Sequence, residues 1–339
     1  GNNIAVNAAI ATAGGNVSIN ADSTLSIGAT VSTNGGNISF TAPTMNLQSA
    51  IGSGAGNIAL TADFPWLQGT LSGSGTLSIQ PQTPSSIDLG GSDSGEMVFL
   101  SENELGNLAN GFSAITIGDS NTGISLVGNA SFVDPVTLQA SAINALGFSL
   151  DGSDDASLTR SAGGQITTGN LTSTTQGVNL EASNITTGDI AANGQVLLNS
   201  GGTIATGSIS TSGQVSGSGT EISTGDIETS GNAELEASGA ISAGTISAAN
   251  VLLSSSGSNI SVNAIDAGIG NIVLTSPLGS IQVPGTLSSG LSLFGGSISI
   301  EHSGTNPFSL GSASTNGTAG DIGITTDGVT IATRYDSST

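Results

Sequence analysis

Cysteine and lysine are absent from these 339 residues, and arginine occurs twice, at Arg160 and Arg334. The missing thiols exclude disulfides, thiolate metal sites and thiol nucleophiles. They do not argue against export, because a chain of this length is stable without crosslinks. Two cations against 24 Asp and Glu leave a formal charge of −22. Nothing here neutralises a run of phosphates, so nucleic acid is excluded as a partner, and phosphorylated cofactors are disfavoured for the same reason. One histidine, His302, cannot assemble a His-based metal cluster or triad. No apolar run approaches the ~18 residues of a membrane span, so no membrane insertion is expected. No basic leader opens the chain, and Gly1 already lies inside the repeat texture. The chain therefore reads as a fragment or processed product of something longer.

What is present argues against disorder. Apolar residues make up 36% and mean hydropathy is +0.21, whereas disordered chains combine low hydrophobicity with high charge. These apolar residues recur. One column centres on Ile166, Ile185, Ile204, Ile222, Ile241, Ile260 and Ile281, with steps of 19, 19, 18, 19, 19 and 21. A second runs through Leu171, Ile190, Ile209, Ile227, Ile246 and Ile265, and a third through Val178, Val196, Ala233, Val251 and Ile272. Near the N-terminus Gly15-Asn16-Val17-Ser18-Ile19 returns as Gly36-Asn37-Ile38-Ser39-Phe40, Gly56-Asn57-Ile58-Ala59-Leu60 and Gly75-Thr76-Leu77-Ser78-Ile79. Each is a corner glycine followed by apolar-polar alternation, the mark of a strand with one buried face.

Three short strands in about 19 residues describe one rung of a parallel β-helix. The low charge fits, because like charges stacked ~4.8 Å apart repel, while Ser, Thr and Asn tolerate stacking. The predicted fold is all-β, with rungs over residues 1–80 and 156–339. Residues 81–155 form an acidic elaboration packed on the same solenoid; it carries ten of the 24 carboxylates. There Ser101-Glu102-Asn103-Glu104 reads as a capping box opening a short helix near 102–110.

The run Leu105-Gly106-Asn107-Leu108, then Gly111-Phe112-Ser113-Ala114-Ile115-Thr116-Ile117-Gly118 and Asp134-Pro135-Val136-Thr137-Leu138, resembles a block of filamentous-haemagglutinin-like exoproteins, notably large cyanobacterial ones. Gly69–Pro81 is similar to that block's lead-in. The resemblance implies a right-handed β-helix, secretion of the parent protein through an outer-membrane partner, and work as an adhesin or matrix component. The family's secretion domain is missing, since Asn306-Pro307 is followed by Phe308.

Candidate sites are few. Asp151-Gly152-Ser153-Asp154-Asp155 gathers Asp151, Asp154 and Asp155 as a weak calcium candidate, without the twelve-residue loop of an EF-hand; no other cofactor is expected. A solvated acidic turn is the plainer reading. Asp189 and Asp226 occupy equivalent corners about two rungs apart, a spacing compatible with paired-carboxylate hydrolysis that any repeat also produces. Thr168, Thr187, Thr206 and Thr224 stack at one corner, read as structural hydroxyls rather than an ice-binding array. His302 reads as a solvated turn residue, and Trp66 as a hydrophobic staple over a rung. Asn16, Asn37 and Asn57 are expected to form an asparagine ladder.

The expected role is the shaft of a secreted bacterial adhesin or extracellular filament protein, non-enzymatic, meeting a surface or matrix polysaccharide or protein, with end-to-end self-assembly as a variant. The alternative is a glycan-active β-helix enzyme, a polysaccharide lyase or glycoside hydrolase.

Overall fold

In the computed structural model the described residues are 1–92, 99–145, 148–152, 158–268, 270–291, 294–302, 308–315 and 322–326. The chain falls into two compact units, Gly1–Gln176 and Gly177–Thr339. Each is a parallel β-solenoid.

In the first unit the opening coil carries Ile4–Val6, Ile10–Ala11 and Val17–Asn20, and the next carries Thr24–Ile27, Val31–Ser32 and Ile38–Thr41. Every strand pairs in parallel with its counterpart one coil on, as in Ile4↔Leu25, Ile10↔Val31 and Val17↔Ile38. Period-two alternation turns Leu25, Ile27, Val31, Ile38 and Phe40 inward, where they are buried, and sends Ser and Thr outward. The core is thus a set of stacked apolar columns rather than two packed layers.

Residues 81–113 interrupt this rhythm. Two of the three sheets end at Phe64–Leu67 and Leu71–Ser72, while the third runs from Thr76–Gln80 to Ala114–Ile117 with Leu77 opposite Ile115. The intervening segment holds Ile87–Leu89, Phe99–Leu100 and a helix, Glu102–Leu105. The capping box forms as expected, with Ser101 and Glu104 exchanging both bonds. The helix is a single turn, shorter than the 102–110 anticipated. Sheet pairing ends it: Asn107 O accepts from Leu71 N and Ala109 N donates to Leu71 O, both at 2.9 Å, so Leu108 is already bridged to Leu71. Regular coils resume with Ala114–Ile117, Gly123–Leu126 and Ala130–Phe132, and continue to Leu171–Ser173.

In the second unit the columns read from the sequence stand in register, with Ile185↔Ile204↔Ile222↔Ile241↔Ile260↔Ile281, Ile190↔Ile209↔Ile227↔Ile246↔Ile265 and Val178↔Val196↔Val215↔Ala233↔Val251↔Ile272. From Ile241 onward two strands of each coil fuse into one, giving Ile241–Ala248, Ile260–Ala267 and Ile281–Leu291. A change of corner residue accompanies the fusion. Up to Thr224 each corner threonine hydroxyl donates to the carbonyl of the following glycine, a local bond that competes with sheet pairing. At Ala243, Val262 and Val283 no hydroxyl is present, and the strand runs on through the corner. Among the described residues one strand pair is antiparallel, Gly290↔Gly295 and Leu291↔Phe294.

Candidate functional site

The corners are joined by side chains as well as by the sheets. Asn16 Oδ1 accepts from Asn37 N at 2.8 Å, Asn37 Oδ1 from Asn57 N at 2.9 Å, and Asn57 Oδ1 from Thr76 N at 2.8 Å. The expected asparagine ladder is therefore present, and it runs through main-chain donors. In the second unit Asn250 Oδ1 accepts from Asn271 N at 2.8 Å and Asn271 Oδ1 from Ser297 N at 2.9 Å. The glycines beside these corners leave room for the next coil: a Cβ on Gly36, Gly56 or Gly75 would be driven into the carbonyl of Gly15, Gly36 or Gly56 respectively.

Asp189 and Asp226 occupy the same kind of position. Asp189 Oδ1 accepts from Ser208 N at 2.8 Å and Asp226 Oδ1 from Thr245 N at 2.7 Å, so each carboxylate is tied to the coil after it. The stacked threonines also face structure: Thr168, Thr187, Thr206 and Thr224 donate to Gly169, Gly188, Gly207 and Gly225 carbonyls at 2.9–3.1 Å.

Carboxylates of the elaboration organise main chain in the same way. Asp134 is buried and accepts from Gly111 N and Phe112 N at 2.9 and 3.0 Å. Asp63, on the rungs that precede the elaboration, accepts from its Gln82 N and Thr83 N at 3.0 and 2.8 Å. Glu104 accepts from Leu67 N at 2.9 Å, on the strand where one sheet ends, and Asn107 Nδ2 donates to Leu67 O at 2.7 Å. Part of the acidic segment thus covers a strand edge that would otherwise present free donors and acceptors.

Of the calcium candidates, Asp154 and Asp155 lie outside the described residues, and Asp151 Oδ2 accepts the Ser149 hydroxyl at 2.9 Å. Among the described residues no group of three or more His, Cys, Asp or Glu side chains is placed to hold a metal.

Two expectations are overturned by strand phase. His302 is not solvated: alternation along Ile298–His302 turns it inward beside Ile298 and Ile300, its exposure is 0%, and Nε2 lies 2.6 Å from Gly279 O. Trp66 is not a staple. Along Phe64–Leu67 the inward positions go to Pro65 and Leu67, leaving the indole 42% exposed on the outer face, in register with Asn46.

A shallow groove of about 450 Å³ lies on the outer face of three coils of the first unit. Its walls include Gly123, Ser125, Ala142, Asn144, Gln165 and Thr167, with Gln165 Nε2 donating to Thr167 Oγ1 at 2.8 Å. Small residues create the hollow, and neutral amides and hydroxyls line it. Such a surface can hydrogen-bond to a hydroxylated ligand, but these side chains contain no general acid or base.

Sequence reasoning missed Arg160. It occupies an inward position of Leu158–Ala162, opposite Leu138, and is completely buried. Nε, Nη1 and Nη2 have no hydrogen-bond partner. The signal was present: Leu158-Thr159-Arg160-Ser161-Ala162 alternates in step with Val136-Thr137-Leu138-Gln139-Ala140, which places arginine in an apolar column.

No family model, curated protein or solved structure matches this chain. The parallel solenoid is consistent with the β-helix repeats of the exoproteins it resembles, and the likeness to them rests on the sequence blocks alone.

Proposed function

We propose that this chain is a structural shaft segment of a secreted bacterial adhesin or extracellular matrix protein, working through surface adhesion or assembly. The observation that carries this reading is the double joining of successive coils. In the first unit sheet pairing links the coils at Val17, Ile38, Ile58 and Leu77, and the Asn16–Asn37–Asn57–Thr76 ladder adds a side-chain bond at each of these steps. Repetition of this kind supports stiffness and protease resistance in proportion to the number of coils. The absence of lysine also removes most trypsin sites.

Its partner on this reading is a hydroxyl-rich surface or matrix polysaccharide. The net charge of −22 disfavours polyanions, and the Asn144–Gln165–Thr167 groove and exposed Trp66 offer neutral hydrogen bonds and an aromatic face. The parent protein would reach the outside through an outer-membrane secretion partner, and contact between copies at their coils is the assembly variant.

The test is retention of the purified chain on immobilised neutral and acidic polysaccharides, with the soluble fraction assayed for reducing ends and for unsaturated products. Retention on neutral glycan without product is the expected result. Release of sugar fragments would replace the shaft by a glycan-active enzyme, and no retention on any glycan or on matrix protein would remove adhesion by this segment.

A further inference from the structure

Arg160 stands where every other coil of the first unit puts a hydrocarbon. Register runs through Ile19, Phe40, Leu60, Ile79, Ile117 and Leu138 to Arg160 along one inward column. The guanidinium is fully buried, and none of its three nitrogens has a hydrogen-bond partner. Five N–H donors are therefore unsatisfied in an apolar interior. An uncompensated buried cation is among the most costly arrangements a fold can contain, and a native structure pairs such a group.

The nearest coil offers no free carboxylate among the described residues. Asp134 is committed to Gly111 and Phe112 N–H, and Asp151 accepts the Ser149 hydroxyl. Burial lowers the Arg160 pKa to about 9, so the group still carries its proton at neutral pH and the need for a counter-charge persists.

We propose that Arg160 is an interior anion site, holding one small monovalent anion of the carboxylate or halide class against its guanidinium fork. The charge of the site is +1, which one such anion neutralises. The fork's parallel N–H groups suit a planar carboxylate such as formate, and chloride satisfies the same donors with poorer directionality. The acidic exterior does not forbid entry, because surface fields are screened over about 8 Å at physiological ionic strength. The bound anion would lock this coil shut. This inference is independent of the adhesive role.

The test is thermal unfolding of the full chain and of Arg160→Met, in sodium formate and in sodium chloride from about 5 to about 500 mM, read as the difference between the two proteins to remove general salt effects. Arg160→Met removes the charge and keeps the volume, so it is expected to fold. The expected result is a Tm of the native chain that climbs by about 2 °C per tenfold rise in anion beyond any change in the variant. Bromide-soaked crystals should show an anomalous peak against the guanidinium. Equal salt responses of the two proteins would overturn the proposal. So would a variant less stable than the native chain at the lowest anion concentration, combined with no bromide peak, because the guanidinium would then be paired with a carboxylate of the chain itself.

Discussion

Glu104 and Leu67, 37 residues apart in sequence, meet through one hydrogen bond: the Glu104 carboxylate accepts the Leu67 N–H at 2.9 Å. The same carboxylate accepts from Ser101 N and Ser101 Oγ at 2.9 Å, so a helix cap and a sheet edge share one side chain. Glu104→Ala is expected to cost about 1–2 kcal/mol. Amide exchange at Leu67 is expected to accelerate along with that at Ser101. Unchanged exchange at Leu67 would mean that the edge is protected by something other than Glu104.

Arg160 gives a pH prediction whose sign follows from its lowered pKa. Because burial lowers the folded pKa to about 9, well below that of the free group, the unfolded chain holds the proton more tightly above that pH. The cost of burying the charge is fully present below about pH 9 and is relieved as pH rises towards the unfolded value. At low anion concentration Arg160→Met is expected to melt above the native chain at about pH 7. That gap should shrink between about pH 9 and about pH 10.5. A gap that is flat across this range would show that the guanidinium does not titrate there.

Two glycines in equivalent corners are predicted to behave differently. A Cβ on Gly56 would enter the Gly36 carbonyl, which is main chain and cannot swing away, whereas a Cβ on Gly15 meets nothing nearer than Thr12 Cβ at 3.6 Å. Gly56→Ala is expected to destabilise its unit by about 3 kcal/mol or more, and Gly15→Ala by less than about 0.5 kcal/mol. Denaturation of the two variants, followed by local exchange at Ile38 and Ile58, checks the contrast.

Asn37→Ala removes the acceptor for Asn57 N–H while leaving Asn37's own N–H on Asn16. The corner is exposed, so water replaces the lost bond, and the expected cost is about 0.5–1.5 kcal/mol. Asn37→Asp keeps an acceptor in place and is expected to cost less. If alanine and aspartate prove equivalent, the ladder contributes nothing beyond the sheets.

The coil was legible because a solenoid writes its contacts at a fixed sequence interval. Ile204 announces Ile222 and Ile185, and the register of the second unit follows from aligning the isoleucines. The helix length was not legible: the capping box at Ser101–Glu104 fixes where it starts, but Leu108's pairing with Leu71, across the coil, decides where it stops. His302 and Trp66 were assigned by residue type, and strand phase overruled type in both cases. The same phase argument, applied to Leu158–Ala162, would have found Arg160 inside. For the groove, sequence held no signal, since Gly123, Ala142 and Gln165 become neighbours only once three coils are stacked.

The asparagine ladder has a direction. Each side-chain oxygen accepts from the coil that follows it in sequence, with partners 19 to 21 residues apart. A newly formed coil therefore finds its ladder acceptors already in place on the one made before it, while main-chain donors such as Val17 N and Ile38 N wait for the carbonyls of the coil that follows. Closing each such loop costs about the same entropy wherever it lies in the array. Assembly of the joined coils can thus proceed one turn at a time, with each completed turn serving as the template for the next.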